Sequence, residues 1–173
     1  MATIEYFRSA AKSLHGHLLD ALQGLPDEHL HFRPLGKGNH IAFTIWHCVR
    51  TEDLAMNSFL QKRPPLWKEE GWDKKFGLEP EAQGTGMTAE QAAAVRIVSL
   101  DEFIVYMRNV FRATEAYLEG LREEDLERVS EYPYFGKRSL AQMIGGVLLF
   151  HGSGHLGEIW YVKGLLGLKG GPG

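Results

Sequence analysis

Apolar residues recur along this chain with the period of an α-helix in four long stretches, and no stretch alternates clearly enough to predict a strand. The first runs from about Thr3 to Gln23. It carries Ile4, Phe7, Ala11, Leu14, Leu18 and Leu22 on one stripe, close to a heptad seam, and Gly24 and Pro26 end it. The second runs from about Asn39 to Leu60, with Asn39 as N-cap behind the breaker-rich Pro34-Leu35-Gly36-Lys37-Gly38. Its inward side reads Ile41, Thr44, His47 or Cys48, Thr51, Leu54, Ala55, Ser58. The third opens at Ser99, three residues before Glu102 in a capping-box pattern, on the stripe Leu100, Phe103, Ile104, Met107, Phe111, Thr114, Leu118, Leu121. The fourth opens at Ser139, with Gln142 as box partner, and reaches about Leu166. Its stripe is Leu140, Ile144, Val147, His151, His155, Glu158, Val162.

Four helices of roughly 20 residues predict an all-α fold, a four-helix bundle with long crossover connections. The connection from Leu25 to Gly38 is long, and that from Gln61 to Val98 is longer and aromatic (Trp67, Trp72, Phe76). Connections of this length allow the second and third helices to run parallel, and they pack over the bundle end or carry function. Thr88 to Val95 has the pattern of a short extra helix. A chain of 173 residues makes one domain with a real core, spanning residues 1–169, followed by a flexible tail over 170–173.

Composition adds mostly exclusions. The net charge of −3 and the lack of a basic cluster argue against nucleic acid or an anionic membrane as partner. Cys48 is the only cysteine, so neither an internal disulfide nor a thiolate zinc finger can form. No apolar run reaches the ~20 residues of a membrane span, and the polar start of the chain lacks a signal-peptide core. A cytoplasmic protein is the expectation.

The chemistry is concentrated in histidine. His151 and His155 stand four apart on an otherwise apolar stripe, so both imidazoles share one helix face. Burying two unpaired imidazoles is costly, so they need a partner, either a metal or polar groups in the core. His47, on the inward side of the second helix, is the best third ligand. Glu158 follows His155 by three and shares its face. It reads as an orienter of an imidazole or a base acting on water, ahead of a fourth ligand or a rim carboxylate. Glu52 and Asp53 read as surface or inter-helix ion-pair residues. His17, His29, His31 and His40 are expected in solvent, while His15, beside Leu14 and Leu18, is placed to line a pocket.

Cys48 lies about 100° around the helix from His47 and reads as a small buried hydrophobe. Ser153, between Gly152 and Gly154, lacks the preceding strand that a nucleophile elbow requires. Gly145, Gly146, Gly152, Gly154 and Gly157 each cost a helix about 1 kcal/mol relative to alanine. They therefore predict close packing against a neighbouring helix or a second subunit.

Taken together, several short motifs resemble the DinB-like bundle family. They are Trp46-His47 followed by Thr51-Glu52-Asp53, Gly71-Trp72 with Phe76-Gly77-Leu78, Gly84-Thr85-Gly86, and His151-x-x-x-His155-x-Gly157. The resemblance implies a four-helix bundle with long crossovers, commonly a homodimer. It also implies a divalent metal (zinc, nickel, manganese or iron) held by His47, His151 and His155. Similar proteins include S-transferases and isomerases that use low-molecular-weight thiols. The chain departs from the family pattern at Glu158, where glutamine is usual. The expected function is therefore that of a metal-dependent thiol S-transferase acting on a small electrophile, with the aromatic connection covering the pocket. The alternatives are a metal-dependent hydrolase using Glu158 as base, and a non-catalytic, stress-response metal- or ligand-binding module.

Overall fold

The computed structural model describes residues 2–171. Its frame is four long helices, here α1 (Thr3–Leu22), α2, α3 (Leu100–Glu119) and α4. Helix α2 is α-helical over Ile41–Asp53 and continues as π-helix over Leu54–Leu60. Helix α4 is built from Leu140–Met143, a π-helical Ile144–Phe150, and His151–Leu165. The box at Ser139 forms in full, and that at Ser99 forms by half, since the Glu102 side chain pairs with Lys75 instead. Ser99 accepts from the Glu102 amide at 3.3 Å, and Ser139 and Gln142 form a reciprocal box. Thr88 and Gln91 form another box, opening the short helix Ala89–Ala94.

Two apolar clusters fix the helix directions. One gathers Ile4 and Phe7 from the start of α1, Met56 from the end of α2, Leu118 from the end of α3 with Leu121 just beyond it, and Leu140 and Ile144 from the start of α4. The other gathers the opposite ends: Leu18 and Leu22, Ile41 and Ile45, Phe103 and Met107, Ile159 and Val162. Helices α2 and α3 therefore run parallel, antiparallel to α1 and α4, as the long second connection allows. Among the described residues no helix is long and apolar enough to cross a membrane.

Several local expectations are corrected. A two-stranded antiparallel hairpin, β1 (Val129–Tyr132) and β2 (Gly136–Ser139), precedes α4. Only Tyr132 of these residues is buried, so the hairpin rests on backbone pairing and left no apolar alternation to read. The N-cap of α2 is His40, not Asn39: its Nδ1 accepts from the Phe43 amide at 2.9 Å. His40 is not solvated either, being 1% exposed with its ring 5.2 Å from that of His31.

Glu52 and Asp53 are buried hubs rather than surface ion-pair residues. Asp53 accepts from the Leu66 and Trp67 amides (both 2.9 Å) and from the Tyr106 hydroxyl (2.9 Å), and so ties α2 to the long connection and to α3. Glu52 accepts from Thr114 at 2.7 Å and lies 3.1 Å from His15, whose other nitrogen meets Glu115 at 2.7 Å. Burial alone would lower the His15 pKa, but the two carboxylates together outweigh it and raise the value above that of a free imidazole. His15 thus belongs to this ionic network and does not line the cleft described below.

Of the α4 glycines, Gly152 alone is tightly seated: a Cβ there would stand 2.7 Å from Leu14 Cδ2. Gly145 would make ordinary contact with Phe7, and Gly146, Gly154 and Gly157 face open space. The close-packing expectation therefore holds at one position. At the chain end, Gly170 and Gly171 lie against Trp160, and the remaining two residues of the expected flexible tail fall outside the described residues.

Candidate metal centre

His47 comes from the middle of α2, while His151 and His155 come from the first turns after the π segment of α4. The three Nε2 atoms converge. That of His151 lies 3.2 Å from that of His47 and 3.1 Å from that of His155, and the three ligand atoms all fall within 4.8 Å of one another. Bond lengths of about 2.0–2.1 Å at a tetrahedral zinc place ligand nitrogens roughly 3.3 Å apart. The cluster could hold a metal ion.

The outer nitrogens say more. His47 Nδ1 is hydrogen-bonded to the Gln83 carbonyl, and His155 Nδ1 meets Glu158 Oε2 at 2.9 Å. Both partners are acceptors, so both Nδ1 atoms carry the proton and both Nε2 atoms present lone pairs inward. His151 Nε2 faces the two at once. A proton on it serves one neighbour and leaves the other lone pair unpaired, whereas one cation serves all three. Burial, reinforced by the neighbouring imidazoles, lowers the His151 pKa to about 4, and burial likewise lowers that of His47. Both rings are therefore neutral at pH 7, as ligands must be. The hydrogen bond from His155 keeps Glu158 below the usual carboxylate range.

The support of His47 comes from backbone, which no side-chain pattern marks. Gln83 and Gly84 sit in the long connection, in a loop held by Arg50, which is 1% exposed. Its Nε donates to Ala82 O and its Nη2 to Pro80 O, both at 3.1 Å, and Asp53 lies 3.4 Å from Nη1. Gly84 has φ +100°, and a Cβ there would stand 2.7 Å from His47 Nδ1, so glycine is required on both counts. The signal available in advance was the Gly84-Thr85-Gly86 motif itself.

A cleft of about 900 Å³ opens beside the triad. It reaches His151 at one side and is walled by the Glu81–Thr85 loop, by both π segments (Leu54, Phe59, Gly146, Val147) and by the hairpin tip. The expected aromatic cover is absent from its wall. Trp67 is fully buried, its ring 6.5 Å from that of Trp46 and 5.1 Å from that of Tyr106, and Trp72 and Phe76 join the same core. Cys48 is buried, which pushes its thiol pKa far up and makes it a packing residue and not a nucleophile.

Known proteins agree with this architecture. A conserved protein from Enterococcus faecalis has the same fold, with a TM-score of 0.83 at 21% identity over 96% of this chain and 99% of that one. A protein from Streptococcus pneumoniae superposes with a TM-score of 0.64 at 13% identity, over 96% of this chain and 93% of that one. No curated protein matches the sequence. The sequence model of the DinB superfamily matches residues 12–159, which include all of the triad. The chain belongs to the DinB superfamily.

Proposed function

We propose that this protein is a divalent-metal-dependent thiol S-transferase acting on a small electrophile, with His47, His151 and His155 as the ligands. The observation that carries the reading is the convergence of three imidazole Nε2 atoms at the edge of a largely apolar cleft. Three protein ligands leave a coordination position for a reactant, which is the catalytic rather than the structural pattern. When bound there, a zinc, nickel, manganese or iron ion acidifies a thiol or water beside it and so supplies a nucleophile at neutral pH.

The protein's own groups favour a thiol over water. The hydrolytic alternative with Glu158 as base needs that carboxylate free to take a proton from water. Glu158 is engaged with the His155 Nδ1–H and does not line the cleft, and Glu81, the carboxylate that does line it, pairs with Lys68 at 3.1 Å. A thiol ionises near pH 8.5 unaided and needs no such base. We therefore assign Glu158 the role of orienting His155, with its charge favouring the ligating tautomer. In the transfer, the thiol sulfur bonds a carbon of the electrophile, the thiol proton passes to solvent, and the leaving group departs with its bonding pair. The apolar walls hold the electrophile and keep water from competing.

The test uses untagged protein of measured metal content, loaded in turn with each of the four metals. Adduct formation between monochlorobimane and glutathione, bacillithiol or mycothiol is compared with the thiol alone. Acceleration that is lost in His151→Asn supports the reading, and no acceleration with any pair overturns it. Glu158→Gln should retain activity with weaker metal binding, whereas abolished activity at full metal occupancy would return Glu158 to the role of base.

A further inference from the structure

The cleft has a chemical polarity of its own. Its long wall is apolar, formed by Leu54, Phe59, Met143 and Val147 with Pro133 and Phe135 from the hairpin tip. Phe59 and Phe135 close on each other with ring centroids 6.3 Å apart. Three ionised side chains reach this wall. Arg50 is engaged by Asp53 and two carbonyls, and Glu81 pairs with Lys68. Arg138, on β2, donates only to the carbonyl of its neighbour Lys137, at 2.9 Å. Among the described residues no carboxylate lies within 4.0 Å of its guanidinium. The cleft thus offers one uncommitted charge, and it is positive.

That charge is remote from the triad along the chain. Arg138 immediately precedes the cap residue of α4, and cleft-lining residues then climb that helix from Gln142 to His151. Nine residues of helix rise at most about 14 Å, roughly the length of an extended chain of twelve carbons. Above this path the turn carries Tyr134, which is 91% exposed and held at φ +67°, a conformation unfavourable for a side chain of its size.

We propose that the cleft binds a small amphiphile with one anionic group, docking the anion on Arg138 and laying its apolar body along Leu54, Phe59 and Val147, with its far end at His151. The proposal rests on the transferase reading for which end reacts, and stands apart from it for how the molecule docks. An arginine fork suits a carboxylate or a phosphate alike.

The experiment displaces the uncharged fluorophore N-phenyl-1-naphthylamine with octanoate, octyl phosphate, octanol and octylammonium, in zinc-loaded and in chelator-treated protein. Octanoate should displace it at concentrations about fivefold or more below octanol, and octylammonium should be weakest. Arg138→Gln should erase the preference for the anions without weakening octanol. Gly146→Leu should weaken all four about fivefold, because Gly146 lines the cleft and a side chain there meets nothing within 4 Å. Equal displacement by octanoate and octanol, or an anion preference that survives Arg138→Gln, overturns the proposal. Octyl phosphate bettering octanoate tenfold would name a phosphate ligand, and the converse a carboxylate. Anion preference in protein that binds no zinc upholds the docking assignment and removes the metal reading; zinc binding with no anion preference does the reverse.

Discussion

Replacing Gly84 by alanine tests how the loop supports the metal ligand. The added methyl would lie 2.7 Å from His47 Nδ1, 3.1 Å from its Cγ and 3.2 Å from its Cβ. Ordinary contact needs about 3.5 Å, so ring or loop must retreat by roughly 0.8 Å. Either retreat strains the bond from Nδ1 to the Gln83 carbonyl that holds the ring. Losing such a partner costs a metal site about 10–100-fold in affinity. Backbone at φ +100° adds about 1–3 kcal/mol against any side chain. Gly86 separates the two effects, since it has φ +80° but nothing within 4 Å of a Cβ. Zinc affinity is read by competition with a chromophoric chelator, and stability by urea unfolding of the metal-free protein. Both variants should lose comparable stability, and only Gly84→Ala should lose at least about tenfold in zinc affinity. Zinc affinity within twofold of wild type in Gly84→Ala, or an equal loss in Gly86→Ala, would refute the argument.

Other outcomes follow from the same structure. Burial holds the His40 pKa at about 4 against an ordinary 6.5, so between those values the unfolded chain takes up a proton that the folded chain does not. Stability from His40 is therefore complete above pH 6.5 and declines as pH falls toward 4. His40→Asn, which keeps a capping oxygen, should flatten that decline in urea titrations at pH 7, 5.5 and 4.5. His15 has the opposite sign: its pKa is raised, so its contribution is complete below pH 6.5 and is lost as pH rises through the folded value. His15→Gln should consequently lose less stability than wild type between pH 7 and 9. Asp53→Ala strands Arg50 and two amides, and should cost about 3 kcal/mol or more, read as a lower urea midpoint. Gly157→Ala should raise stability by about 0.5–1 kcal/mol, whereas Gly152→Ala, colliding with Leu14, should lower it by about 1 kcal/mol.

The frame was legible because it depends on the period of apolar side chains and on local capping groups. The stripes of α1 and α3, the box at Ser139, and the shared face of His151 and His155 are all written in spacings of three and four. The meeting of His47 with that pair was legible for the same reason. Features settled by distant partners were not. Asp53 and Glu52 read as surface or inter-helix ion-pair residues, and their burial was hidden because their amide and hydroxyl donors lie 13 to 62 residues away. The loop carbonyl on His47 is backbone chemistry, with no side-chain identity to betray it. Trp67, Trp72 and Phe76 looked like a lid because an aromatic connection reads alike whether it covers a cleft or fills a core.

Both helices that bear the histidines contain a π segment adjoining the cleft, at Leu54–Leu60 and at Ile144–Phe150. Such a segment is equivalent to one extra residue slipped into a regular helix, about 100° of azimuth. In α4 the residues that floor the cleft lie before or within the π segment, and the ligands His151 and His155 follow it. Deleting a single residue between them would swing the imidazoles away from α2 while the hairpin and its cap stayed in place. The aim of the ligands and the lining of the cleft are thus separately adjustable along one rod, so binding preference can diverge among relatives without disturbing the three rings.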